Sequence, residues 1–127
     1  MLNWQPNWED VVFDLASAQE AVIACTQAAG ELDSVLTGLT AGRRRIETDG
    51  AWRGDARLAF NDEAGAIVRE AVQTRDALNR LTGRILGASA DAQVEQSRRV
   101  ADRARWRQER DQEVAAQGGL RPRQGPF

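Results

Sequence analysis

Between Val11 and Ile46, apolar residues recur at alternating spacings of four and three: Val11, Leu15, Ala18, Val22, Cys25, Ala29, Leu32, Leu36, Leu39 and Ile46, with only Arg43 interrupting. Such spacing draws one narrow stripe along a helix, and a stripe sustained this long is buried by another helix at a shallow left-handed crossing. Asn7 is the expected N-cap, followed by Glu9 and Asp10 on the first turn, where the helix dipole favours negative charge. Cys25 reads as one more seam position.

The run "ETDGAWRGD", residues 47–55, stops this helix. Gly50 and Gly54 tolerate backbone angles closed to other residues, and Asp49 and Asp55 are competent caps. A second seam follows at Phe60, Ala64, Ile67, Ala71, Thr74, Leu78, Leu81, Ile85, Ala88 and Ala92. Two periodic arms joined by roughly seven residues form an antiparallel hairpin. Each arm has about 39 residues, or about 58 Å of helix. A lone hairpin is too thin to cover its own apolar stripes. The expected fold is therefore all-α, an antiparallel helix-turn-helix hairpin pairing into a four-helix bundle dimer. Its dimer seam is expected to hold Leu15, Val22, Leu32, Leu36, Leu39, Ile67, Leu78, Leu81 and Ile85.

The second arm weakens at "TGRILGASAD". Gly83 and Gly87 each cost about 1 kcal/mol relative to alanine inside a helix, and Ser89 is a candidate cap for a fresh start. The expected organisation is a hairpin over 1–93, a basic helical extension over 94–115, and a disordered tail over 116–127, which is rich in glycine and proline.

Composition narrows the function. The chain has no histidine, no tyrosine and a single cysteine. A zinc site, or a Cys/His or Ser/His nucleophile pair, cannot be assembled from it. Its carboxylates, interleaved with arginines on long helices, read as solvated faces. No catalytic residue, cofactor or metal is expected, and the chain is not expected to be an enzyme. No apolar run is long enough to cross a bilayer, so no stable membrane insertion is expected. The opening "MLNWQPNWEDVVFDL" lacks a basic flank and a small-residue cleavage site, so no cleaved signal peptide is expected. One cysteine cannot close an intramolecular disulfide, and nothing demands an oxidising compartment. Every basic residue is arginine, a bias of GC-rich genomes that carries no mechanism.

Charge is uneven. Residues 1–42 hold six acids and no bases, 43–97 hold nine of each, and 98–127 hold four acids and eight arginines. Arg98, Arg99, Arg103, Arg105, Arg107 and Arg110 beside Trp106 invite a phosphate-backbone reading. However, Asp102, Glu109, Asp111 and Glu113 interleave with them, and a solvated helix with i,i+4 pairs is the simpler expectation. No nucleic-acid partner is expected. Arg43, Arg44 and Arg45 suit the negative end of a helix dipole, with Arg43 reaching toward Glu47 or Asp49; a site for an acidic partner is the alternative. Trp4 and Trp8 should fall opposite the stretch from Val94 to Ala101 and clamp it.

Trp52 has two readings at the turn: a plug over the open end of the hairpin, or a docking knob of the kind that dominates interface energy. Trp52, Gly54, Ala56, Ala59 and Phe60 together spell W-x-G-x-A-x-x-A-F, placed between two heptad-bearing arms of a small, cysteine-poor chain. Over residues 7–93 this resembles the WXG family of small proteins exported by type VII (ESX) secretion systems. The resemblance implies a homodimer, or a heterodimer with another WXG-like protein, that is cytoplasmic before export and then secreted without a cleaved signal peptide. It also implies a composite export signal. The Trp-x-Gly turn of one subunit lies near a Tyr-x-x-x-Asp/Glu motif just after the second helix of its partner, and a membrane ATPase of the system reads that tail. Trp52, Gly54, Ala56 and Phe60 would form the secretion or partner motif.

This chain departs from that pattern in having no tyrosine. Trp106 offers an aromatic, but Arg110 stands where the acid would be. That departure leaves two explanations, the signal-less partner in a secreted heterodimer or a retained accessory subunit; the overall reading is a type VII secretion substrate or such a signal-less partner. A separate reading is a cytosolic adaptor or chaperone-like subunit pairing with a larger helical toxin or effector. Least supported is a nucleic-acid binder.

Overall fold

The computed structural model describes residues 2–50 and 52–120. Two helices are present, α1 over Leu15–Asp49 and α2 over Gly54–Leu120, and no strand occurs among the described residues. The chain divides into two compact units. One is the hairpin Asp14–Ala88; the other joins the segment ending at Phe13 to the part of α2 that begins at Ser89.

In the hairpin unit, α1 begins later than a cap at Asn7 implies. Asp14 is the N-cap: its Oδ1 accepts the Ser17 backbone N–H at 3.0 Å, and Ser17 Oγ donates to its Oδ2 at 2.7 Å. Those bonds, the backbone one first, hold the Asp14 carboxyl below its ordinary value. The residues just before the cap, Val11, Val12 and Phe13, are β-branched or aromatic and favour helix weakly. Gly50 ends α1 in the left-handed conformation, with φ 63°. Gly54 opens α2 at φ 66°, and Asp55 supplies the acid of its first turn.

From Ala18 onward the α1 seam lies against α2. Cys25 and Ala29 are buried, and Ala18, Val22, Leu32, Leu36, Leu39, Arg43 and Ile46 are half-buried. On α2 the inner face differs from the expected one by a single residue. One expected column, Ala64, Ala71, Leu78 and Ile85, does face inward. The other inner column runs through Val68, Arg75 and Thr82 in place of Ile67, Thr74 and Leu81, while at its start the expected Phe60 and its neighbour Asn61 are both half-buried. Ile67 and Leu81 are instead 49% and 46% exposed.

An ion pair joins the two helices on this offset face. Arg75 Nη1 reaches Asp33 Oδ1 across the two helices at 2.9 Å, and Arg75 Nη2 reaches Asp76 at 3.3 Å. Counting outward from that bridge puts Leu36 and Leu39 opposite Ala71, and Leu78 and Thr82 opposite Cys25 and Ala29. Large residues therefore meet small ones, which is how close-packed interiors fill space. The larger Ile67 and Leu81 lie on the flank, 49% and 46% exposed.

The helix break expected near Gly83, Gly87 and Ser89 does not occur, because α2 is continuous from Gly54 to Leu120. A glycine cost of about 1 kcal/mol each is small against the seam residues Thr82 and Ile85 that hold the helix there. Of the expected disordered tail, residues 116–120 complete α2, carried on from Ala115 by the helix formers Ala116 and Gln117; residues 121–127 lie outside the described residues.

Candidate functional site: turn, flank and strap

At the turn, Arg53 Nε donates to the Gly50 carbonyl at 3.2 Å and so satisfies an end carbonyl of α1. Trp52 is left to fold over Phe60, with ring centroids 5.4 Å apart at a 53° tilt. Trp52 is 43% exposed, Ala56 is exposed and Phe60 half-buried. The indole thus has one face on the second helix and one in solvent, a geometry that serves a plug and a knob alike. Beside it, Asn61 Oδ1 is buried without a hydrogen-bond partner. Of the arginine triplet, Arg43 is half-buried in the seam while Arg44 and Arg45 are exposed.

The expected dimer-seam residues divide into two groups. Val22, Leu32, Leu36, Leu39, Leu78 and Ile85 are half-buried within the hairpin. Leu15, Ile67 and Leu81 are exposed. At 100° per residue, Ile67, Thr74, Leu81 and Ala88 form a column on the flank of α2 turned away from the Arg75–Asp33 bridge. Ala28, Val35 and Gly42 form the matching column on α1, where Val35 is 49% exposed. This flank is apolar along its centre, with Glu31, Glu63, Glu70 and Arg84 on its rim. The opposite flank also exposes Leu58 and Leu86, but Asp33, Arg44, Arg75 and Asp76 interrupt it.

The second unit is built around a strap that sequence periodicity misplaces. Residues 2–13 carry no helix and lie along α2, where side chains of the helix satisfy their backbone. Gln96 Oε1 accepts the Val11 N–H at 2.7 Å, while its Nε2 donates to Asp10 Oδ1 at 2.9 Å. Arg99 donates to the Glu9 carbonyl at 3.1 Å. Arg103 donates to the Asn7 carbonyl at 2.8 Å, the Glu9 carbonyl at 2.6 Å and the Asp10 carboxylate at 2.8 Å. The bond from Gln96 and then those from Arg103 hold the Asp10 carboxyl below its ordinary value. Asn7, the expected cap, instead accepts the Glu9 N–H in a local turn.

Trp4 and Trp8 meet Trp106 and Glu109, further along α2 than the stretch from Val94 to Ala101. Trp106 stands edge-on to Trp8 with centroids 5.3 Å apart, and its N–H donates to the Trp4 carbonyl at 3.0 Å. Trp4 donates to Glu109 at 2.9 Å. The seven residue steps from Val11 back to Trp4 cover the helix from Gln96 to Trp106 or Glu109, about 2–3 Å per strap step against 1.5 Å in a helix. An extended segment reaches further than a helical one, which is why the clamp falls beyond Ala101.

Other contacts of the tail arginines are ion pairs within α2 and stacking on indoles. Arg98 and Arg99 bridge Glu95 at 2.7 and 3.0 Å, and Arg98 also reaches Asp102 at 3.6 Å. Arg105, Arg107 and Arg110 lie over the rings of Trp4, Trp8 and Trp106 at 4.4, 5.5 and 5.5 Å. Gln96, Arg99 and Arg103 escaped the sequence reading as strap ligands. The available signal was their own spacing, since with Trp106 they continue the alternating three-and-four step where apolar residues would stand.

Among the described residues no group of His, Cys, Asp and Glu could hold a metal ion, and no helix is long and apolar enough to cross a membrane. No protein-family model, curated protein or solved structure matches the chain.

Proposed function

We propose that this chain is a non-enzymatic pairing module whose hairpin docks on a second helical hairpin, its own copy or a WXG-like partner, to complete a four-helix bundle. The uncovered apolar flank carries the reading. Among the described residues, the buried hydrophobic side chains are Cys25, Ala29, Ala64 and Ala71, all small, while Val35, Ile67 and Leu81 remain about half exposed. Finishing the burial of each of those three contributes roughly 1 kcal/mol, and a symmetric pair counts each twice. The rim acids Glu31, Glu63 and Glu70 favour a partner with basic residues around its own stripe.

Within this reading the Trp-x-Gly turn is a WXG-like export or partner motif, and the chain is the signal-less subunit of a heterodimer secreted by a type VII system. The missing tyrosine and the placement of Arg110 support that role. So does the engagement of the Trp106 indole with Trp4 and Trp8, which occupies the one aromatic near the tail-motif position. The secretion ATPase would then read the partner's tail. Co-expression with a candidate partner ending in Tyr-x-x-x-Asp/Glu provides the test. Both subunits should reach the culture filtrate together, and deleting the partner's motif should retain both. Export of this chain with no partner present would contradict the signal-less role.

A further inference from the structure

The strap is held the way a bound peptide is held. Among the described residues its ties to α2 use helix side chains: Gln96, Arg99 and Arg103 grip its backbone and Asp10, Trp106 donates to the Trp4 carbonyl and stands edge-on to Trp8, and Glu109 accepts the Trp4 indole N–H. Pro6 is the one buried residue described in it, and Val12 is fully exposed at 101%. Polar residues at seam spacing explain the choice of ligand. A helix offering Gln96, Arg99 and Arg103 cannot bury a second apolar helix. It can supply donors to an extended backbone, whose carbonyls need them. Four of the gripped groups, the Val11 N–H and the Trp4, Asn7 and Glu9 carbonyls, occur in any peptide; specificity then comes from the indoles and the carboxylate.

We propose that this face of α2 is a binding groove for an extended segment bearing two tryptophans four residues apart followed by a carboxylate, and that residues 2–13 occupy it as an exchangeable strap. The occupant it is built for is this segment, and a partner that engages the groove must present the same chemistry. Charge agrees: Asp10, in an N-terminal region without bases, pairs with Arg103 at 2.8 Å. The proposal is independent of hairpin pairing.

The test uses the full chain carrying Trp4→Ala and Trp8→Ala, so that its own strap loses both anchors, and a fluorescently labelled peptide of residues 2–13. A tethered strap competes at an effective concentration in the millimolar range. The labelled peptide should therefore bind the double variant at least tenfold more tightly than the unmodified chain. Adding Arg99→Gln with Arg103→Gln, or Trp106→Ala, to that background should abolish binding, and a scrambled peptide should not bind. Raised salt should weaken the complex. Circular dichroism of the double variant should keep the helix content of the parent. Loss of that helix content would make the strap an integral part of the fold and overturn the proposal. So would failure of the peptide to bind a helical double variant, or binding indifferent to Arg99, Arg103 and Trp106.

Discussion

Replacing Leu81 with aspartate separates the inside of the hairpin from its outside. Leu81 is 46% exposed, so within one hairpin the change removes only part of a leucine's burial, about 1 kcal/mol. The new carboxylate remains in water there, and helix content should be nearly unchanged. In a paired bundle the same position is covered. An unpaired carboxylate at that place costs several kcal/mol, and even about 3 kcal/mol raises a dissociation constant more than 100-fold. Sedimentation velocity across a concentration series, run beside circular dichroism, reads both quantities. The control is Leu32→Asp, which faces α2 inside the hairpin and should lose helix or melt much earlier. If Leu81→Asp loses helix as Leu32→Asp does, Leu81 belongs to the hairpin core and the flank is misassigned. If it stays helical and associates as before, the flank is not the pairing face.

Other consequences can be measured on the same chain. Trp52→Ala should cost roughly 1–2 kcal/mol, below the 3–5 of a buried aromatic, because the indole is 43% exposed. Trp52→Phe should still pair but reach the culture filtrate poorly; normal export would leave Trp52 as a plug. Asn61→Leu removes a buried oxygen that has no partner, and should raise the melting temperature by the equivalent of about 1 kcal/mol; a lower melting temperature would mean Oδ1 is satisfied in solution. Glu95 is held at about 2, from an ordinary 4.5, by its bonds to Arg98 and then Arg99. A carboxylate lowered by folding stabilises the fold above its unfolded value and stops doing so as pH falls through the folded one. Amide signals around Glu95, Arg98 and Arg99 should therefore hold at neutral pH and shift between about pH 4.5 and 2 as the carboxylate is protonated; a flat amide NMR titration there would refute this.

The long stretches of the fold were legible because helix periodicity is a property of one chain face. The α1 seam from Ala18 to Ile46 could be read directly, since every position but Arg43 is apolar. The α2 inner face was read one residue off because Arg75 and Thr82 look like solvent positions in a hydrophobic pattern. An arginine satisfied by Asp33 across the helix pair leaves no such mark. The strap was illegible for a related reason. Guanidinium-to-carbonyl bonds have no apolar signature, and the periodic match at Val11 hid a run, Val11 to Phe13, whose propensity is for extended chain. Asp14, bonded to Ser17, caps the helix after that run.

Pairing itself is most directly tested by sedimentation equilibrium of the unmodified chain, alone and with a candidate hairpin partner, over nanomolar to micromolar concentration. A hairpin with a half-exposed apolar flank should sediment at twice the mass of one chain, or as a one-to-one complex, and dissociate on dilution with loss of helix. A single chain mass throughout, with cooperative melting and no partner bound, would contradict the pairing role.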